Sequence, residues 1–369
     1  MSAAGTPLQR WRRLRFILLA IAAAAFVVGA WTGLALLGLP MPGGLPLIAE
    51  FHGALMIGGF LGTVISLERA VAVGRAWAYV APLASALGAL LLFAGAPTLA
   101  AYALLLAGLA LTGNSIFVSV RQPALFTGTL AVASACWVAG SVFWLMARST
   151  TQITAWWLAF LVLTVAAERL ELSRLRSPHW ISQVTFAIAA LLIIVGAARA
   201  EFAGEKAWLT GLGFSASTLW LLKHDIASRT VRQSGQTRFS AVCMLAAYLW
   251  LGIAGVLMLL APPGATTFSY DAAVHAVTLG FILSMIFGHA PIILPAVTGL
   301  RTTSSVLLYG PLALLHISVA LRVIADLFEW IELRAASGLL TVVALMSYAG
   351  TVLVVTQFGR AKNRSAIRA

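Results

Sequence analysis

Apolar runs of about twenty residues, divided by short polar breaks, recur from one end of the chain to the other. A bilayer core takes about 20 residues of helix, so the pattern predicts about twelve membrane spans. They fall near 14–38, 46–68, 77–95, 97–120, 123–147, 152–170, 180–198, 205–223, 239–260, 268–297, 304–325 and 335–358. Two breaks are rich in proline and glycine, Pro40-Met41-Pro42-Gly43-Gly44 and Pro262-Pro263-Gly264, and each introduces a span that carries histidine. No tandem repeat or low-complexity tract interrupts the pattern, and the longest polar connection, Lys223 to Arg238, is too short to fold alone. The expectation is one polytopic all-α domain over residues 1–369, with basic ends at 1–13 and 359–369.

Composition agrees, with 61% hydrophobic and 9% charged residues, which excludes a soluble single core. The basic start followed by an apolar run from Phe16 to Leu39 reads as a retained first helix, because no small-residue cleavage pattern follows it. A net charge of +13 would suit nucleic acid, but its placement excludes that partner. The basic residues gather in alternate loops, as at Arg10 to Arg15, Arg69 and Arg75, Arg169 to Arg176, Lys223 to Arg238, and Arg360 to Arg368. That is the positive-inside bias, which puts both termini in the cytoplasm of a bacterial-type inner membrane and requires an even number of crossings. Cys136 and Cys243 lie in separate apolar runs, where they read as buried small hydrophobes.

The chemistry is carried by histidine, since an intramembrane side chain of that kind marks a functional site by default. The run Asp271–Gly299 holds two, His275 and His289, fourteen positions apart. On an α-helix they would share a face to within about 40° and stand about 21 Å apart, too far to share one metal. The second span opens with Glu50-Phe51-His52, so His52 and His275 are expected at matching depth near the outer face on helices running the same way. Two such imidazoles can clamp a heme iron axially. Glycines at 53, 58, 59 and 62 beside His52, and Gly280 beside His275, either admit a flat macrocycle or serve as helix-packing contacts, the commoner role in membranes.

Arg322 and Arg334 flank the last outer loop, where they would hold heme propionates or pair with Asp326, Glu329 and Glu332. His316 and His289 lie deeper and are candidates either for a second metal site or for hydrogen-bonded structural histidines. His179 and His224 fall at inner helix ends and read as solvated. Glu68 with Arg69, and Glu168 with Arg169 and Glu171, read as interfacial charge pairs.

At these residues the chain resembles the NnrS family, itself similar to subunit I of the heme-copper oxidases. The family's second-helix motif is close to WHAHEMLFGF, and the corresponding FHGALMIGGF matches at His52, Met56, Gly59 and Phe60. Its later helix resembles HALTVGAIG followed by a GH pair. This chain has HAVTLGFIL and then Gly288-His289, matching at His275, Ala276, Thr278, Gly280 and the GH pair. The resemblance implies a heme-copper oxidase subunit I-like bundle with heme b bound by His52 and His275, and a part in electron transfer or the response to nitric oxide.

The departures narrow that implication. Ala54 and Leu55 replace the motif's second histidine and its glutamate, which argues against copper there. Ala273 stands where the oxidases carry a further histidine, and spans six and seven supply no histidine pair, so an oxygen or NO reductase with a binuclear centre is not expected. The implied partners are the lipid bilayer, heme, and a quinone or cytochrome electron donor. Two other readings stay open: a secondary transporter whose histidines line a substrate or proton path, and a scaffold subunit with structural histidines.

Overall fold

In the computed structural model the described residues are 7–41, 46–173, 180–199, 207–298 and 305–368, with side chains described over 11–41, 48–173, 180–199, 207–292 and 305–356. Every regular element among them is a helix. α1 (Pro7–Leu36) leads through the short α2 (Pro46–Ala49) to π1 (Ala54–Gly62), which continues directly as α3 (Thr63–Val73). Then follow α4 (Val80–Phe93), α5 (Pro97–Arg121), α6 (Leu125–Leu145), α7 (Thr150–Ser173), α8 (Trp180–Ala198), α9 (Trp208–His224) and α10 (Ala227–Thr230). α11 (Gly235–Leu260) precedes α12 (Ser269–His275), π2 (Ala276–Leu283) and α13 (Ser284–Thr298), which form one continuous rod, and α14 (Tyr309–Leu327) and α15 (Ile331–Arg368) complete the bundle.

Among the described residues, eleven helices are long and apolar enough to cross a membrane. The protein is therefore an all-α, multi-pass membrane protein. The span expected at 205–223 corresponds to α9, which has 17 described residues, with 200–206 outside the described set. Helices adjacent in sequence pack as antiparallel neighbours through their short connections, as α5 with α6 and α6 with α7 do. α7 is the most deeply enclosed span, with 83% of its apolar window buried, while the lipid-facing side of the bundle carries exposed residues such as Leu99, Leu106 and Leu219. Without water to drive apolar association, close backbone approach holds such helices together. A Cβ at Gly62 would stand 2.6 Å from the Trp137 ring, and one at Gly58 2.6 Å from Leu104. Both thiols are free and buried, as composition led one to expect.

Two histidine-bearing spans depart from the regular helices expected of them. Residues 54–62 and 276–283 wind as π-helix, each segment starting within two residues of a histidine. Hydrophobic periodicity does not separate π from α winding over so few residues. The angular relation between His275 and His289 expected for an α-helix is thereby changed, because the eight residues of π2 lie between them with i→i+5 hydrogen bonding. Such π-helical stretches recur at functional sites.

Candidate functional site: a histidine pair at one end of the bundle

His52 is positioned by α1. Gly29 and Gly33, one helical turn apart, present a flat strip of backbone, and a Cβ at Gly33 would lie only 2.9 Å from Cε1 of the imidazole. Met56 lies on Gly29 in the same way, with its sulfur 2.6 Å from where a Cβ would be. In this groove Nδ1 of His52 meets the carbonyl oxygen of Gly29 at 2.7 Å. A carbonyl only accepts, so Nδ1 carries the proton and Nε2 carries the lone pair. The Gly29-x-x-x-Gly33 strip on the first span was the signal in the sequence for this contact, and attention to histidine alone passed over it.

His275 reaches the same tautomer by another route. Its Nδ1 donates to the carbonyl oxygen of Asp271, 2.8 Å away and one turn earlier on α12. The Asp271 carboxylate is in turn gripped by Arg334 and, at 3.4 Å, by Arg322. Both arginines also bind Asp326, Arg322 through Nε at 2.8 Å and Arg334 through Nε at 2.7 Å. Arg334 lies over the Phe268 ring, its guanidinium carbon 4.1 Å from the centroid. The result is a closed quartet of two guanidinium and two carboxylate groups, with Asp326 0% exposed. Pairing with Asp326 is the alternative weighed for these arginines; the second partner, Asp271, was not expected. Glu329 instead accepts the backbone N–H of Thr267 at 2.9 Å, which holds its exposed carboxyl below the usual range.

His52, His275, Asp271 and Arg322 lie within electrostatic reach of one another. Both imidazoles keep partial accessibility although packed helices surround them. Neither Nε2 is engaged by a hydrogen bond among the described residues. Farther along the same two rods α3 touches α13, whereas π1 packs chiefly on α1 and α4 and π2 chiefly on α11 and α14. The two rods thus meet away from the histidines and take different neighbours beside them.

Not every expected site residue joins this centre. Gly59 packs on Ala25 and Ala89, where a Cβ would stand 3.2 and 3.1 Å away, and the place of a Cβ at Gly280 is taken by the Trp250 ring. Both glycines therefore play the packing role. Gly53, next to His52, is different: nothing lies within 4 Å of a Cβ placed there.

His289 and His316 are engaged separately. Nδ1 of His289 donates to Met285 O at 2.7 Å, and its Nε2 lone pair accepts from Arg169 Nη2 at 2.9 Å. Trp250 Nε1–H donates to Nδ1 of His316 at 2.9 Å, so the proton of that neutral ring sits on Nε2. Neither ring offers a lone pair to a metal, and the hydrogen-bonded structural reading describes both. Among the described residues no three His, Cys, Asp or Glu side chains converge as a metal site.

The charges expected to pair at inner helix ends also differ from expectation. Arg69 pairs with Glu168 across helices rather than with its neighbour Glu68, and Arg169 turns inward to His289. The His224 ring lies tilted against Trp220, with ring centroids 5.1 Å apart, and His179 lies outside the described residues.

Fold and site together define a multi-pass helical membrane protein in which His52 and His275, of the same tautomer, lie within electrostatic reach of each other. The chain belongs to the family described as a domain of unknown function, DUF8744, which matches residues 15–357. No curated protein matches it, and no solved structure does.

Proposed function

We propose that the protein binds heme b between His52 and His275 and is an NnrS-like membrane protein with a heme-copper oxidase subunit I-like bundle. The supporting observation is the matched pair of tautomers. Each Nδ1–H is tied to a carbonyl, at 2.7 Å for His52 and 2.8 Å for His275, which orients an Nε2 lone pair that no donor among the described residues uses. Such a tie to the second ring nitrogen is how proteins fix and strengthen a metal-ligating imidazole. Gly53 leaves room beside His52, and the two Nε2 atoms are the donor set a low-spin heme needs.

When bound there, heme supplies a one-electron iron centre. The chain's own residues hold it: α1 fixes His52 through Gly29, and Arg322 and Arg334 act through Asp271 to fix His275. Held by both imidazoles, the group would supply electron transfer or heme-based sensing in the response to nitric oxide rather than turnover of a gas. A quinone or cytochrome serves as electron donor. In this reading the histidine pair lies toward the outer face of a bacterial-type inner membrane, and both termini lie in the cytoplasm.

The test is an optical spectrum of the protein purified from heme-replete cells. A reduced low-spin b-type spectrum, lost in His52→Ala and in His275→Ala, is the expected outcome; a colourless preparation overturns the reading. The transporter alternative is favoured by one feature, the buried Arg169–His289 contact deep in the bundle. Proteoliposome uptake abolished by His289→Ala, in heme-free protein, would select it.

A further inference from the structure

The end of the bundle opposite the histidine pair holds buried polar groups that the heme reading does not use. Asp225, just past α9, and Tyr248 of α11 are each 0% exposed, and Arg169 of α7 is 5% exposed. Asp225 Oδ1 accepts the backbone N–H of Ala227 at 2.6 Å. Among the described residues its Oδ2, Tyr248 Oη and Arg169 Nε have no hydrogen-bond partner in good geometry, although the Tyr248 hydroxyl lies within side-chain hydrogen-bonding reach of the Asp225 carboxyl. Yet Asp225, Tyr248 and Arg169 interact electrostatically with one another. The remaining nitrogens of Arg169 go to uncharged acceptors, Met244 S at 3.2 Å and His289 Nε2 at 2.9 Å.

A guanidinium thus faces a carboxyl and its neighbouring phenol in the interior, and among the described residues the guanidinium closes no direct ion pair with that carboxyl. Each polar atom left unsatisfied would cost about 1–3 kcal/mol. Bridging waters with two to four polar partners each are the ordinary way interiors avoid that cost. A carboxyl that served only to neutralise Arg169 would close a direct ion pair with it. Gln236 Oε1 likewise has no hydrogen-bond partner among the described residues. It belongs to a side chain that reaches Ser240, whose hydroxyl donates to Gly288 O beside His289. Glu168, with a side chain 22% exposed, interacts with His289 from the rim.

We propose that Asp225, Tyr248, Arg169 and His289 form a hydrated proton-binding site inside the bundle, with Glu168 at its entrance. The proton goes to Asp225: its carboxylate takes H+ from hydronium, an O–H bond forms at Oδ2, and neutral water is left. His289 is a poor acceptor because its lone pair already receives Arg169. Burial holds the Asp225 carboxyl above the ordinary carboxylate range, against the opposing influence of Arg169 and the Ala227 N–H. The groups facing it are Arg169 from α7, Tyr248 from α11 and His289 from α13, with Lys223 and His224 preceding it on α9. From α10 come the Ala227 N–H and the Ser228 hydroxyl, which donates to the Asp225 carbonyl at 3.0 Å. Buried carboxyl and histidine groups in membrane proteins serve as proton relays in pumps and transporters.

The site does not depend on iron, so its test is run on the full-length protein in lipid nanodiscs with and without heme. Infrared difference spectra are recorded between acid and neutral pH. The expected result is a carboxylic-acid C=O band that titrates above the ordinary carboxylate range, shifts promptly in D2O, vanishes in Asp225→Asn and moves in Tyr248→Phe. Tyr248→Phe keeps the question answerable if Asp225→Asn does not fold, because it removes only one hydroxyl. Loss of the heme spectrum with the band retained would leave this proposal standing while ending the one above. A band unmoved by either substitution, or one that does not respond to D2O, overturns it.

Discussion

Arg334 grips the carboxylate of Asp271 while the backbone carbonyl of that same aspartate, 2.8 Å from Nδ1, fixes the tautomer of His275. A single residue thus couples the ion quartet between α14 and α15 to the orientation of a candidate ligand one helical turn away.

The quartet is the most exacting element of that coupling. Two buried guanidinium groups are balanced by two carboxylates, so removing one partner leaves uncompensated charge at a cost of about 3–5 kcal/mol. Asp326→Asn is expected to lower thermal stability in detergent by an amount of that order. Asp271→Asn keeps the carbonyl that His275 uses but loosens its tether, so heme content should fall further than stability does. The heme-to-protein ratio and the melting midpoint, measured on both variants, separate the two effects.

His52 is sensitive to α1. An alanine at position 33 would put its Cβ 2.9 Å from the imidazole Cε1, tighter than packed atoms tolerate. Gly33→Ala should therefore displace the ring, reduce heme loading severalfold and cost about 1–3 kcal/mol. Normal loading with an unshifted spectrum would show that the α1 groove does not set the ligand.

Trp250 joins two elements at once: its ring fills the place of a Cβ at Gly280, and its Nε1–H binds Nδ1 of His316 at 2.9 Å. Trp250→Phe removes the donor and leaves a buried acceptor, an expected loss of about 1–3 kcal/mol in stability with the heme spectrum retained. Gly280→Ala should be at least as damaging, because the added Cβ would collide with Cγ of the buried indole, and a packed interior yields little. Chemical denaturation of the solubilised protein is the measurement that checks both.

The buried carboxyl of Asp225 gives stability a definite sign of pH dependence. Its folded-state pKa is raised, chiefly by burial, so the folded form holds the proton more tightly than the unfolded one. By linkage the stabilisation is complete at low pH. It is lost as pH rises from the unfolded carboxylate value, about 3.9, through the raised folded value. Thermal midpoints of the wild type should fall across that window, and Asp225→Asn should flatten the slope.

The sequence by itself determined the class of protein. Apolar runs long enough to span a bilayer leave backbone groups no partner but their own helix, so an all-α multi-pass bundle followed from hydropathy alone. It also singled out His52 and His275, because histidine in an apolar run is rare. Only the tertiary structure decided which nitrogen His52 offers, since that is fixed by the Gly29 carbonyl, brought close from another helix. The same holds for Asp271 as the second partner of Arg334, for Arg169 turning away from its sequence neighbours toward His289, and for Trp250 filling the Gly280 notch. These contacts join residues on different helices, from 23 positions apart for His52 and Gly29 to 120 for Arg169 and His289, and hydrophobic periodicity carries information only about faces of a single helix.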